Sequence, residues 1–398
     1  MAGASVLRYP TGPGGDWREP SWRRGTTHAH KKDVTVADYR TVDPASLQAT
    51  ATGIFIHLGA PEDIAAEVAG HLVRANLAGH DSHGAIRIPQ YAQQIAAGVI
   101  HPAARPSIIG GRGATVLVDG ARGFGQVAAV FALREAMSRA HIHGIAGAAI
   151  RHANHLGRVG DYAETAAADG LVTILTVGGA GPGVGAATPF GGAARFLGTN
   201  PWSMGIPVGN EDHPPVLIDF ATTVVAEGKV KVARAKHEAL PAGCIVDKDG
   251  NPSTDPEEFY GGGMLLPFGG HKGYGLALAS ALMGTLAVID DATPTLAGNL
   301  GDTRTGADLA ARGAGAFLVV IDPSAFGDAT HYRDHVERVT DALKKVPGAG
   351  SNTVMLPGEP ESRTTASRKA SGISIPDDTW DAIDALAQAH GVPMPAIH

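Results

Sequence analysis

Cysteine is almost absent: Cys244 stands alone in 398 residues, so no disulfide can form within the chain. Packing and hydrogen bonds must hold the fold, and a reducing compartment, the cytoplasm, is the expected location. The N-terminus also lacks the basic flank and apolar run of a secretory signal. Charge of one sign is missing too: 32 Lys+Arg against 39 Asp+Glu give a net charge of -7. Without a basic field to gather a polyanion, nucleic acid is not an expected partner. Long hydrophobic runs are missing, since the longest covers 273–289, short of the ~18 residues of a membrane span and rich in small side chains. A buried core helix is expected there, and no membrane partner. What the chain does have is 44% hydrophobic residues, enough for a folded globular protein rather than a disordered one.

Residues 1–44 are polar and carry no apolar periodicity, so they read as an arm, with Trp17 and Trp22 able to dock on the body. From Pro61 onward Ile64, Val68 and Leu72 recur at four-residue spacing and predict a helix with one face toward a core. A helical layer is expected over 45–120. Beyond it, apolar runs at 115–119, 145–150, 171–177 and 216–219 alternate with helix-like stretches at 125–140 and 158–169, which predicts an α/β sheet over 121–310. A further strand at 315–321 and an amphipathic helix at 328–345 predict that 311–398 returns to complete the earlier layers.

Several segments hold chemistry-bearing residues. In GHDSHGAIRIPQY (79–91), Arg87 and Tyr91 are four apart on one helix face, beside Ser82 and His83. A guanidinium fork and a phenol there can clamp a carboxylate; the same pattern also suits a polar helix start capped by Asp81 or Ser82. In RHANHLGRVGDYAE (151–164), His152 and His155 occupy a strand-to-helix turn. A nearby helix N-terminus would disfavour the imidazolium and leave a neutral base, with His155 the better candidate. The glycine-rich stretch 178–207 contains GGAGPG, but Pro182 and the GVG after it oppose a helix start, so a standard Rossmann fingerprint is rejected. The helix after Asp219 carries Lys229, Lys231, Arg234 and Lys236, which could meet cofactor phosphates or face water. Lys272 opens the apolar helix. Histidine pairs (80/83, 141/143, 152/155) raise a metal-dependent hydrolase as a rival, but they lack zinc-site spacing and no metal is expected.

Taken together, DSHGAIRIPQY, NHLGRVGDYA, GTNPWSMGIP, IDFATT, LPFGGHKGYGLAL, FLVVIDP and VMLPGEPE resemble, in order over roughly 45–390, the malate/L-lactate dehydrogenase family. The resemblance implies an α/β fold with an unusual mixed-sheet cofactor domain, not a standard Rossmann domain, joined to a mainly helical N-terminal layer, and a homodimer. It implies hydride transfer between NAD or NADP and a small 2-oxo or 2-hydroxy acid, such as malate, lactate or sulfolactate. The alternative within the family is reduction of cyclic imine carboxylates. It places His155 as proton donor and acceptor, His83 and Arg87 on the substrate helix with Ser82 and Tyr91 beside them, and Thr199 in the lining. Cofactor contacts are implied at Gly179, Asp219, Phe220, Ala221, Lys272, Gly358 and Glu359. Arg312 is a candidate for meeting a second acidic group on the substrate.

Overall fold

The computed structural model describes residues 39–209, 214–235, 237–288 and 314–397. Trp17, Trp22, Lys236 and Arg312 therefore lie outside the described residues. The strands in chain order are β1 (Tyr39–Val42), β2 (Ser107–Gly110), β3 (Thr115–Asp119), β4 (Ile145–Arg151), β5 (Val172–Gly179), β6 (Trp202–Ile206), β7 (Val216–Phe220), β8 (Ile245–Val246), β9 (Pro252–Ser253), β10 (Met264–Leu265), β11 (Ala314–Ile321) and β12 (Ile373–Pro376). Seven of them form one mixed sheet in the order β2-β3-β4-β11-β5-β6-β7. Only β3 and β4 pair in parallel; β11 runs antiparallel to both β4 and β5. The mixed sheet expected from the resemblance is present, with β11 inserted at its centre from late in the chain.

Three hydrophobic cores follow from the sequence pattern. The first packs helices Pro44–His57, Glu62–Leu77 and Arg87–Ala96 with Asp377–His390, around Phe55, Tyr91, Phe124 and Trp380. Its Ile64, Val68 and Leu72 are the four-spaced residues read from the sequence, all nearly inaccessible. The second lies between the sheet and helices Gly125–His143 and Gly160–Ala168, where alanines let helix and strands approach closely. The third gathers Leu197, Val230, Cys244, Phe259 and Leu265 around the small sheet β10-β8-β9.

Three boundaries differ from the sequence reading. The end of the polar arm forms β1, which pairs antiparallel with β12, because Val42 is fully buried against the first core. Within the 45–120 stretch given to the helical layer, β2 is a strand the sequence reading did not name, and it joins the large sheet beside β3, the apolar run read at 115–119. Residues 202–206, read as part of a glycine-rich loop, form β6 between β5 and β7.

The described part of the apolar stretch, 273–288, lies in helix His271–Gly284 and the short 3-10 turn after it. Among the described residues no helix is long and apolar enough to cross a membrane. This helix lies so close to β5 that a Cβ on Gly178 would sit 2.0 Å from the Ser280 carbonyl oxygen. Backbone cannot retreat as a side chain can. Gly178→Ala is therefore expected to cost at least the ~1–3 kcal/mol of an overpacked core, read as a lowered urea midpoint with an unchanged slope.

Candidate active site

The turn between β4 and helix Gly160–Ala168 carries His155, and side chains from elsewhere hold its irregular backbone. Asn154, buried, donates through Nδ2 to the carbonyls of Arg122 (2.8 Å) and Gly123 (2.9 Å), with Val99 further off at 3.2 Å. Gly157 has a φ of +76°, and a Cβ there would lie 2.2 Å from His71 Nε2. The close approach lets the Arg158 amide donate to that same nitrogen at 2.9 Å. His71 in turn places Nδ1 3.1 Å from Asp161 Oδ2, and Arg74 Nε donates to Asp161 at 2.9 Å. Burial opposes the charge on Asp161, yet His71 and Arg74 hold its carboxyl well below the usual range.

Two elements bring the predicted substrate residues to this turn. A 3-10 turn, Asp81–His83, and helix Arg87–Ala96 follow one another. The His83 ring stacks on that of His155, centroids 5.4 Å apart. Ser82 Oγ lies 3.0 Å from His83 Nδ1, and Arg87 Nε donates to the Ser82 carbonyl at 2.6 Å. The hydrogen bonds of the Arg87 side chain go to neutral oxygens, that carbonyl and Gln90 Oε1, and among the described residues no carboxylate is in ion-pair contact with it. Glu227, on a neighbouring helix, acts on it only through space. Tyr91, expected beside the substrate, is 1% exposed, with its hydroxyl 2.7 Å from His155 Nδ1. That hydroxyl also receives a hydrogen bond from Gln126 Nε2 at 2.8 Å.

Burial first, then the Arg87 guanidinium, holds the His155 imidazole well below its ordinary range, and burial followed by Arg87 does the same to His83. Burial, rather than a helix N-terminus, is the first cause that favours a neutral ring there. Helix Gly160–Ala168 starts five residues beyond His155 and does not supply the shift. His152 is taken up by Asp119, whose Oδ2 lies 2.8 Å from its Nδ1.

Most of the implied cofactor residues lie at the neighbouring sheet end, where β5 and β7 finish. Asn200 donates from Nδ2 to the Gly179 and Ala277 carbonyls and accepts the Gly179 amide at 3.0 Å, joining β5 to helix His271–Gly284. The Thr199 carbonyl accepts from the Thr222 amide and hydroxyl, just past Phe220 and Ala221. Phe220 packs edge-on against Phe268, shortly before Lys272, which is exposed. Asp219 Oδ2 accepts the Gly160 amide at 3.0 Å, and burial raises its carboxyl although His80 and Arg158 act against it. Gly358 lies against Leu217 of β7, while Glu359 is paired with Lys344 at 2.7 Å. Sequence reading missed Gln126, His71 and Asp161; the one signal was a lone polar residue opening the apolar helix Gly125–His143. Among the described residues no group of three or more His, Cys, Asp or Glu is placed to hold a metal.

A family model described as malate/L-lactate dehydrogenase matches residues 42–384. The chain is 35% identical to hydroxycarboxylate dehydrogenase B of Escherichia coli, across 88% of this chain and 94% of that one. The solved structure of sulfolactate dehydrogenase from Methanocaldococcus jannaschii superposes with a TM-score of 0.78 at 32% identity, covering 88% of this chain and 98% of that one. That of delta1-piperideine-2-carboxylate reductase from Pseudomonas syringae gives 0.75 at 30%, covering 87% and 100%.

The Asp161 pair makes the turn testable. Asp161→Asn removes a buried charge partner and should cost roughly 3–5 kcal/mol at neutral pH. Because the folded carboxyl is depressed, its stabilisation is full above the usual carboxylate range and is lost as pH falls below it. Urea unfolding of the two proteins should therefore converge in acid; a constant gap would remove this account.

Proposed function

The chain belongs to the malate/L-lactate dehydrogenase family, and we propose that it transfers a hydride between NAD or NADP and a small 2-oxo or 2-hydroxy acid such as malate, lactate or sulfolactate, with His155 as the proton exchanger. The observation that carries this reading is the convergence of His155, His83 and Arg87, the last without a carboxylate partner among the described residues. A cation half-removed from water beside two imidazoles is suited to a carboxylate substrate, which would supply the missing counter-charge. Arg87 then fixes the acid group, Ser82 and His83 line the other side, and His155 faces the reacting oxygen. When bound, the nicotinamide supplies or accepts the hydride.

The residues present fit such a cofactor. Helix His271–Gly284 opens with no side chain capping its first amides, and Lys272 stands exposed in that turn, a pairing suited to phosphate. Asp219 uses Oδ2 on Gly160, which leaves Oδ1 for a ribose hydroxyl. Gly179, Phe220, Ala221 and Thr199 border the same sheet end, while Gly358, with Glu359 after it, lies toward the opening of β7, against Pro215 and Leu217. A second reading, reduction of a cyclic imine carboxylate, draws support from the Pseudomonas syringae neighbour, since the same arginine and imidazole serve a C=N bond as well as a C=O. The proposed homodimer is supported by the exposed apolar residues Val339 and Leu343 on helix Ala329–Lys344 and Val346 just beyond its end.

The decisive experiment is NADH and NADPH oxidation over a panel of 2-oxo acids and cyclic imine carboxylates; no turnover on any would overturn the reading. On the preferred substrate, His155→Ala should lower kcat by roughly 10²–10⁴-fold with little change in cofactor affinity. Arg87→Leu should instead act mainly on KM, by roughly 10–10²-fold. Because the His155 imidazole is depressed, the neutral base persists below its ordinary range. For hydroxy acid oxidation, kcat/KM should accordingly stay level as pH falls through 6.5 and drop only further into acid.

A further inference from the structure

In the proposed reaction the proton and the hydride leave a 2-hydroxy acid together: the hydride from C2 goes to the nicotinamide, the hydroxyl proton to an imidazole nitrogen. Tyr91 occupies Nδ1 of His155, so Nε2 is the nitrogen that exchanges. Nε2 must be bare to take the proton, and the neutral ring must then carry its own proton on Nδ1. After the transfer both nitrogens are protonated. In each working state Nδ1 donates, and the Tyr91 oxygen has to accept.

That requirement fixes where the single phenolic proton of Tyr91 goes. Burial pushes the ionisation of Tyr91 up to about 12, with Arg87 and Gln126 acting against it, so the hydroxyl keeps its proton. The group 2.8 Å away on the other side is the amide of Gln126, which is 0% exposed. With its nitrogen toward Tyr91, the chain of donors runs from Gln126 through Tyr91 to Nδ1. The ring proton is then forced onto Nε2, and Gln126 Oε1 is left buried without a hydrogen-bond partner. A half-turn of the amide exchanges oxygen and nitrogen in the same volume. The chain then runs from His155 Nδ1 through Tyr91 to Gln126 Oε1, and the amide nitrogen takes the place where the carbonyl had no partner.

We propose that Gln126 is a positioning residue that, acting through the Tyr91 hydroxyl, keeps a proton on His155 Nδ1 and so presents a bare Nε2 to the substrate. This inference rests on the reading of His155 as proton exchanger. Catalytic triads set the tautomer with a carboxylate; here two neutral groups do so. They orient the ring without drawing a second proton to it, and the charged or titratable groups facing the ring are His83, Arg87 and His71, with Tyr91 as its hydrogen-bond partner.

The test uses the full chain labelled with ¹⁵N in its histidines, with the His155 signal assigned by its loss in His155→Gln. In the wild type at neutral pH, Nδ1 should show the shift of a protonated nitrogen and Nε2 that of a bare one. Gln126→Leu should move the proton to Nε2 and lower kcat roughly 10²-fold, with KM changed less than about threefold. Gln126→Glu keeps an acceptor and should retain the Nδ1 proton, recover activity to within about tenfold and shift the acid limb of the pH profile upward. In a Tyr91→Phe background, Gln126→Leu should add no further loss. A wild-type proton on Nε2, or losses that multiply in the double variant, would overturn the proposal. The nitrogen shifts are read without turnover, so they decide the tautomer even if every substrate in the panel fails.

Discussion

The constraint on which the site depends is the anchoring of an irregular turn. Residues 152–159 belong to neither β4 nor the helix after it, so their amides and carbonyls need partners from outside. The turn is tied down on several sides: its own Asn154 reaches the carbonyls of Val99, Arg122 and Gly123, His71 takes the Arg158 amide, the Tyr162 hydroxyl donates to the Leu156 carbonyl, the Arg122 amide donates to the His152 carbonyl, and Asp219 takes the amide of Gly160, where the helix begins. Each bond is worth about 1 kcal/mol net, but an orphaned buried partner would cost ~1–3 kcal/mol, so the set acts as a specification more than as a reservoir of stability. His155 inherits its position from these bonds, and preorganisation of this kind is what lets a single imidazole act on a small substrate.

The charges are sorted around that turn. Asp161, Glu164 and Asp219 lie on the side where Arg74, Arg158 and His71 meet them. On the other side Arg87 touches only neutral oxygens, and two imidazoles are kept uncharged by burial and by that guanidinium. A carboxylate arriving at Arg87 would weaken the field that depresses His155, so substrate binding and readiness to hold a proton are linked through one side chain.

Much of this was legible in the sequence, and unevenly. Strands such as 115–119 and 315–321 are short apolar runs between turn signals, and the Ile64/Val68/Leu72 face is a plain helical stripe. Both depend on local pattern, which composition and spacing carry. β6 was hidden because its glycine and serine dilute the apolar alternation, and β1 because pairing with β12 depends on a segment more than 300 residues away. Ser82, His83 and Arg87 could be named from one motif, yet whether they face His155 is decided by long-range packing. Gln126, His71 and Asp161 gave almost no signal, since a buried polar residue is defined by its neighbours in space. Tyr91 was read as a clamp for substrate because helical spacing shows which face a residue shares, not which atom its hydroxyl meets.

The position of β11 bears on how the protein is made. β4 and β5 do not touch one another; the strand between them is translated well over a hundred residues after β5 is complete. At ordinary ribosomal speeds that interval is on the order of ten seconds. During it, the facing edges of β4 and β5 have no mate, and both are apolar, β4 through alanine and isoleucine and β5 through valine, isoleucine and leucine. A nascent chain in that state invites pairing with a stranger, so synthesis in a concentrated cell should depend on a chaperone that shields those two edges until residue 321 has left the exit tunnel.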